Sequence, residues 1–167
     1  AVLPTRGGDW YDGGLWQDVF LHKWGTKNDL VKGSWDYLYR VIAQANKSLD
    51  KLNEILAKDP ENTSVPKYIS EVRAFRALYY YYLLDMFARV PLVTSSTTAM
   101  ADVEQSERSV VFTFVKTELE ESVADLSDAH SNLPGEYYGR ITKPVAYFLL
   151  AKLALRSEEH TSELQSQ

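Results

Sequence analysis

The 167-residue chain contains no cysteine. That excludes disulfide staples, cysteine-ligated zinc and thiol catalysis from this stretch. Histidine is almost as scarce, at three residues, and neither His22 nor His130 has a second ligand at metal-binding spacing. Basic residues are outnumbered by acidic ones, 18 to 23, for a net charge of −5. An electrostatic grip on nucleic acid needs a basic face, so that class is excluded. The longest apolar run, residues 77–87, is interrupted by Asp85 and is too short to span a bilayer. What remains is a chain with 45% hydrophobic and 25% charged residues, enough apolar surface for a core and too much for a disordered tail. Aromatics reach 13%, including 11 Tyr and 4 Trp, which means bulky helix packing or rings on which flat ligands can stack.

The periodicity is helical throughout. Residues 1–29 hold three Trp and five Gly, with a short helix expected around Leu15–Trp24. Trp35, Leu38, Ile42, Ala45, Leu49, Leu52 and Leu56 alternate steps of three and four, which predicts one helix over 30–58 capped by Asn28 or Asp29. Tyr39 and Asn46 flank that stripe, in half-buried positions. Asp59-Pro60 ends the helix. A second helix starts with Pro66 in its first turn and is expected to bury Val72, Phe75, Tyr79, Tyr82 and Met86, with Ala74 and Ala77 allowing a neighbour to come close. The run Tyr79–Tyr82 cannot form one binding strip, because successive helical residues point about 100° apart. A third helix is expected over 109–128, with Glu118, Glu120 and Glu121 on its wet face. A last helix over 142–155 is expected to be capped by Thr142 and to bury Val145, Phe148, Leu149 and Leu153. Arg73, Arg76 and Glu71 read as an inter-helix ion-pair network.

The expected fold is therefore all-α, built of antiparallel helical hairpins as an incomplete α-α superhelix. The first two long helices have roughly the tetratricopeptide period of about 34 residues. Three segments are expected: the Gly/Trp-rich 1–29, a helical scaffold over 30–155, and 156–167. The stretch RSEEHTSELQS is similar to the in-frame translation of a sequencing-adaptor oligonucleotide, so 156–167 is expected to be non-native and the chain a fragment cut at both ends.

Five segments in order resemble the SusD/RagB family of surface glycan-binding lipoproteins of Gram-negative bacteria. Trp35-Asp-Tyr-Leu-Tyr39-Arg-Val-Ile42 through Ala45-Asn46 is similar to the family's W-x-x-L-Y-x-x-I-x-x-x-N helix. Glu71-Val-Arg73-Ala74-Phe75-Arg76-Ala77 with Tyr79–Tyr82 resembles its E-A-R-F-L-R-A-Y-Y-Y helix. Residues 87–94 resemble the G-x-V-P-L-V-T exit, with Ala88-Arg89 departing from the usual Gly. Asp125-Leu126, Ala129 and Leu133-Pro134 follow D-L-x-x-A-x-x-x-L-P, and Gly139-Arg140-Ile141-Thr142-Lys143 with the helix after it resembles G-R-x-T-K-x-A-A-x-A-L-L-A-K. The opening PTRGGDWYDGG is similar to the family's loop before these helices.

The resemblance implies a non-catalytic protein, anchored by a lipid at the outer membrane and exposed at the cell surface. It captures oligosaccharides and delivers them to a partner TonB-dependent (SusC-like) transporter. The resemblance also leaves peptide open as cargo, since some family members are thought to carry peptides. A tetratricopeptide-like protein-binding scaffold is the alternative, and a helical glycosidase the third reading. No cofactor, metal or nucleic-acid partner is expected.

Sugar recognition asks for flat rings plus planar polar groups. Arg6, Asp9, Trp10, Tyr11 and Asp12 offer both within seven residues of a glycine-hinged loop, and the family places part of its glycan site near this loop. Trp10 either stacks on ligand or anchors the loop to the core. Asp9 and Asp12 more readily cap turns than form the acid pair that glycoside cleavage requires.

Overall fold

The computed structural model describes residues 11–155. Arg6, Asp9, Trp10 and the segment 156–167 therefore lie outside the described residues. The chain divides into two compact units, Ala1–Arg40 and Val41–Gln167, each considered by itself. The fold is all-α, in tetratricopeptide-like hairpins. Its helices are α1 (Leu15–Phe20), α2 (Asp29–Lys58), α3 (Val65–Phe87), α4 (Arg108–Ser122) and α5 (Lys143–Leu155).

Helix α2 follows the sequence stripe. Asn28 Oδ1 accepts from the backbone N–H of Leu30 (3.0 Å) and Val31 (3.2 Å), so Asn28 is the cap. Leu38, Ile42, Ala45 and Leu49 are buried on one face. Asn46 is fully buried beside them rather than half-buried, because it is a structural hydrogen-bonding residue of the second unit.

In the second unit α3 begins as expected, with Pro66 in its first turn. Asn62 caps it, its Oδ1 accepting from Ser64 and Val65 N–H at 3.1 Å each. The buried face, however, is Ser70, Ala74, Ala77, Tyr81 and Leu84, widened by Arg76, Tyr80 and Leu83. None of the expected stripe lies on it: Val72, Phe75 and Tyr79 are half-buried, and Tyr82 and Met86 are exposed. Apolar residues surround this helix, so its periodicity alone cannot choose a face. The two alanines are fully buried, and α3 packs along α4.

Helix α4 ends at Ser122, not near Asp128. The Ser122 hydroxyl donates back to Glu118 C=O at 2.6 Å, and Asp125 turns to accept from the Ser70 hydroxyl at 3.0 Å. Glu118 is not on a wet face. It is buried with Val111, Val115, Leu119 and Ser122. Its two carboxylate oxygens are divided between two arginines of α3. Oε1 accepts from Arg73 Nε at 2.9 Å, and Oε2 from Arg76 Nε and Nη2 at 3.1 and 2.6 Å. Glu121 takes the other side of Arg73. Burial works against the Arg73 charge, but hydrogen bonds to Glu121 and Glu118 outweigh it and raise its pKa. Glu71 belongs to a separate pair with Arg140 (2.9 and 2.6 Å).

Thr142 does not cap α5 with its side chain. Its hydroxyl is buried without a partner, and the first helical N–H, Lys143, is satisfied by Ser127 C=O at 2.9 Å. Ala146, Leu149 and Leu153 are buried, whereas Phe148 is 63% exposed, contrary to the sequence pattern.

Between α3 and α4 the sequence gives no warning of a two-residue antiparallel ladder, β1 (Val90–Pro91) against β2 (Gln105–Ser106). Polar side chains fasten the loop that the ladder closes. Asn46 Nδ2 and the Tyr80 hydroxyl donate to Val93 C=O, each at 2.9 Å, and Arg76 Nη1 donates to Thr94 C=O at 2.9 Å. Asp50 Oδ2 accepts from the Ser96 backbone N–H at 2.9 Å and from its hydroxyl at 2.6 Å. These bonds, the Ser96 hydroxyl first, hold the Asp50 carboxyl below its ordinary pKa.

Candidate functional site

The glycine-rich segment of the first unit folds into a tight spiral. Tyr11 C=O accepts from Gly14 N–H at 2.8 Å and starts a 3-10 turn over Asp12–Gly14. Gly13 and Gly14 have φ of 64° and 91°, a region that glycine enters without steric cost. The turn feeds α1, shorter than the Leu15–Trp24 helix expected, because His22 at φ 54° breaks the right-handed path. Lys23 N–H then returns to Asp18 C=O (2.8 Å), and Asn28 N–H to Gly25 C=O (3.0 Å).

These turns enclose a depression of about 330 Å³ lined by Asp12, Asp18, Lys23, Trp24, Lys27 and Asn28, among others. Trp24 is 45% exposed, and one side of its indole is supported by the His22 ring at 5.0 Å. Asn28 spends its Oδ1 on the α2 cap, which orients its amide nitrogen as a donor. Asp12 Oδ2 accepts from the Trp16 indole N–H at 2.6 Å, which fixes the carboxylate at the rim. Such a site presents one apolar ring face beside preset donors and acceptors, the arrangement that a pyranose ring requires.

Of the two described candidates from the sequence, Asp12 lines this depression, and it binds the Trp16 side chain rather than capping a turn. Tyr11 is half-buried, with its hydroxyl close to Gly14, 3.7 Å from where a Cβ at that position would stand. Trp24 was missed from sequence. Its signal was a tryptophan next to a glycine among lysines and asparagine, K-W-G-T-K-N, where no apolar period needs a large ring.

Glu120 and Glu121, adjacent carboxylates on α4, are each paired: Glu120 with Lys116 at 3.2 Å and Glu121 with Arg73. Among the described residues no group of His, Asp or Glu could hold a metal ion, and no helix is long and apolar enough to cross a membrane.

Residues 8–155 match the SusD-like family model, described as starch-binding and associating with the outer membrane. The chain belongs to the SusD-like family. Solved SusD-like structures agree. A laminarin binding SusD-like protein is 30% identical, with a TM-score of 0.64 over 77% of this chain and 27% of its own. A SusD-like carbohydrate binding protein from Bacteroides fragilis is 25% identical, with a TM-score of 0.70 over 84% of this chain and 27% of its own. Surface glycan-binding protein A from Bacteroides uniformis shares the fold at a TM-score of 0.73 and 21% identity, over 89% of this chain and 32% of its own. The chain thus spans about a third or less of the length of these SusD-like proteins. A comparison with curated proteins gave no match.

Proposed function

We propose that this chain carries part of a non-catalytic protein that captures oligosaccharides at the cell surface and passes them to a TonB-dependent outer-membrane transporter. The observation that carries the reading is the exposed Trp24 indole, set between Asp12, Asp18 and Asn28 in the glycine-turned depression. Arg6, Asp9, Trp10 and Tyr11, which precede Asp12 in the sequence, are proposed as further stacking and hydrogen-bonding groups. The engaged state of Glu120 and Glu121 favours capture over cleavage, since glycoside hydrolysis needs two carboxylates across the scissile bond. The family description supports an outer-membrane association, and the family resemblance supports the lipid anchor, the surface location and the transporter partner. The scaffold segment 30–155 then serves to hold the glycan loops.

Calorimetric titration of the full-length protein with laminarin, xylogluco-oligosaccharide and maltoheptaose tests this. Trp24→Ala should weaken binding about tenfold, the value of losing one stacked ring, with the melting temperature unchanged. Undiminished affinity in Trp24→Ala, or binding of peptides and no glycan, would reject the reading.

A further inference from the structure

A larger depression, about 560 Å³, lies within the second unit, between the first turns of α3 and the segment joining α4 to α5. The Glu71–Arg140 pair forms part of its wall. Arg140 donates through Nε and Nη2 to both oxygens of Glu71, a bidentate bond that raises the Arg140 pKa further and fixes both planes. The Arg140 guanidinium also lies 4.9 Å over the Tyr137 ring, which holds that ring in place. Tyr68, also in the lining, is 49% exposed on the first turn of α3. Asp125 spends Oδ2 on the Ser70 hydroxyl and keeps Oδ1 as an acceptor.

We propose that this depression is a second carbohydrate site, taking a neutral, hydroxyl-rich oligosaccharide. Its lining carries the carboxylates of Glu71, Asp125, Asp128 and Glu136 against two cations, Lys67 and Arg140, so an anionic ligand is repelled. The Arg140 charge is already spent on Glu71, and Lys143 at 3.3 Å offsets Asp128. What the site offers is an open tyrosine face and fixed planar polar groups, which grip a hydroxyl rim without reorganising. The ligand class rests on the reading of the Trp24 site, but the residues are different, so the two can fail separately.

Full-length protein is irradiated with diazirine-bearing laminarihexaose, xylogluco-oligosaccharide or maltoheptaose, and labelled peptides are mapped by mass spectrometry. The expected result is label on 64–71 or 124–141 as well as on 12–29. Tyr68→Ala should lower the label on the former about tenfold without changing the melting temperature. Asp125→Asn, a near-isosteric change, should lower it as well. Label confined to 12–29, or label on 64–71 and 124–141 that survives both substitutions, overturns this proposal and leaves the Trp24 reading standing. Label confined to 64–71 and 124–141 supports it and removes that reading. No label from any of the three probes overturns both.

Discussion

Arg76 of α3 and Glu118 of α4 form an ion pair inside the helix pair, each side chain 7% exposed, with Nη2 2.6 Å from Oε2. The remaining Arg76 donor, Nη1, serves Asn46 Oδ1 at 2.8 Å and Thr94 C=O, and the guanidinium lies 5.3 Å from the Phe114 ring centre. One guanidinium thus connects α2, α3, α4 and the loop after α3.

Removing Glu118 strands the Arg76 charge in a low-dielectric site, whereas removing Arg76 leaves Glu118 its hydrogen bond to Arg73. Glu118→Leu should cost roughly 3–5 kcal/mol, and Arg76→Met less, about 1–3 kcal/mol. The double variant Arg76→Met/Glu118→Leu should cost less than the sum of the single changes by about 1–3 kcal/mol, since it leaves no unpaired charge. Urea unfolding of the four proteins gives the cycle directly, and additive costs would show that the pair is not energetically coupled.

Tyr80 is fully buried, and its hydroxyl both accepts from Val93 N–H at 2.8 Å and donates to Val93 C=O. Tyr80→Phe strands that N–H and should cost roughly 1–3 kcal/mol, read as a lower urea midpoint. Burial pushes the Tyr80 pKa up to about 12. The folded state therefore keeps its proton where the unfolded chain, near pKa 10, gives it up. Stability should be intact below about pH 10 and fall by roughly 2–3 kcal/mol between about pH 10 and 12. In Tyr80→Phe this alkaline loss should shrink by that amount.

Ala88 closes α3 at φ 59°, ψ −77°, a γ-turn geometry that strains any residue with a Cβ. Its N–H still bonds Leu84 C=O at 3.1 Å, so the turn is needed to leave the helix toward β1. Ala88→Gly should raise stability by about 1 kcal/mol, seen as a higher melting temperature. A fall would mean that the greater freedom of glycine in the unfolded chain outweighs the relieved strain.

Helix α2 was legible because its apolar residues occupy one stripe and Asn28 stands at the capping position. Helix α3 was legible as a helix but not in orientation, since tyrosines, leucines and valines surround it; what marks the buried face is the pair of fully buried small residues Ala74 and Ala77. Glu118 was misread because a carboxylate on a helix is ordinarily solvated. The counter-signal was Arg73 and Arg76, two cations about one turn apart among the apolar residues of α3, which need anionic partners. The β1–β2 ladder was invisible, being shorter than any readable alternation. In the candidate site, Asp12 was proposed from its glycine neighbours, and it lines the depression. Trp24 was not, because a lone ring outside any period carries no pattern until the turns at Gly14 and His22 bring it beside Asp18 and Asn28.

The two-residue ladder pinches the chain at Val90–Pro91 and Gln105–Ser106, while Asn46, Asp50, Arg76 and Tyr80 fasten only the stretch from Val93 to Ser96. The remainder, 97–104, is a tethered cassette whose two ends are set independently of what lies between. A change of length or sequence inside that cassette leaves the bonds at both of its ends, and so the helices that carry it, in place.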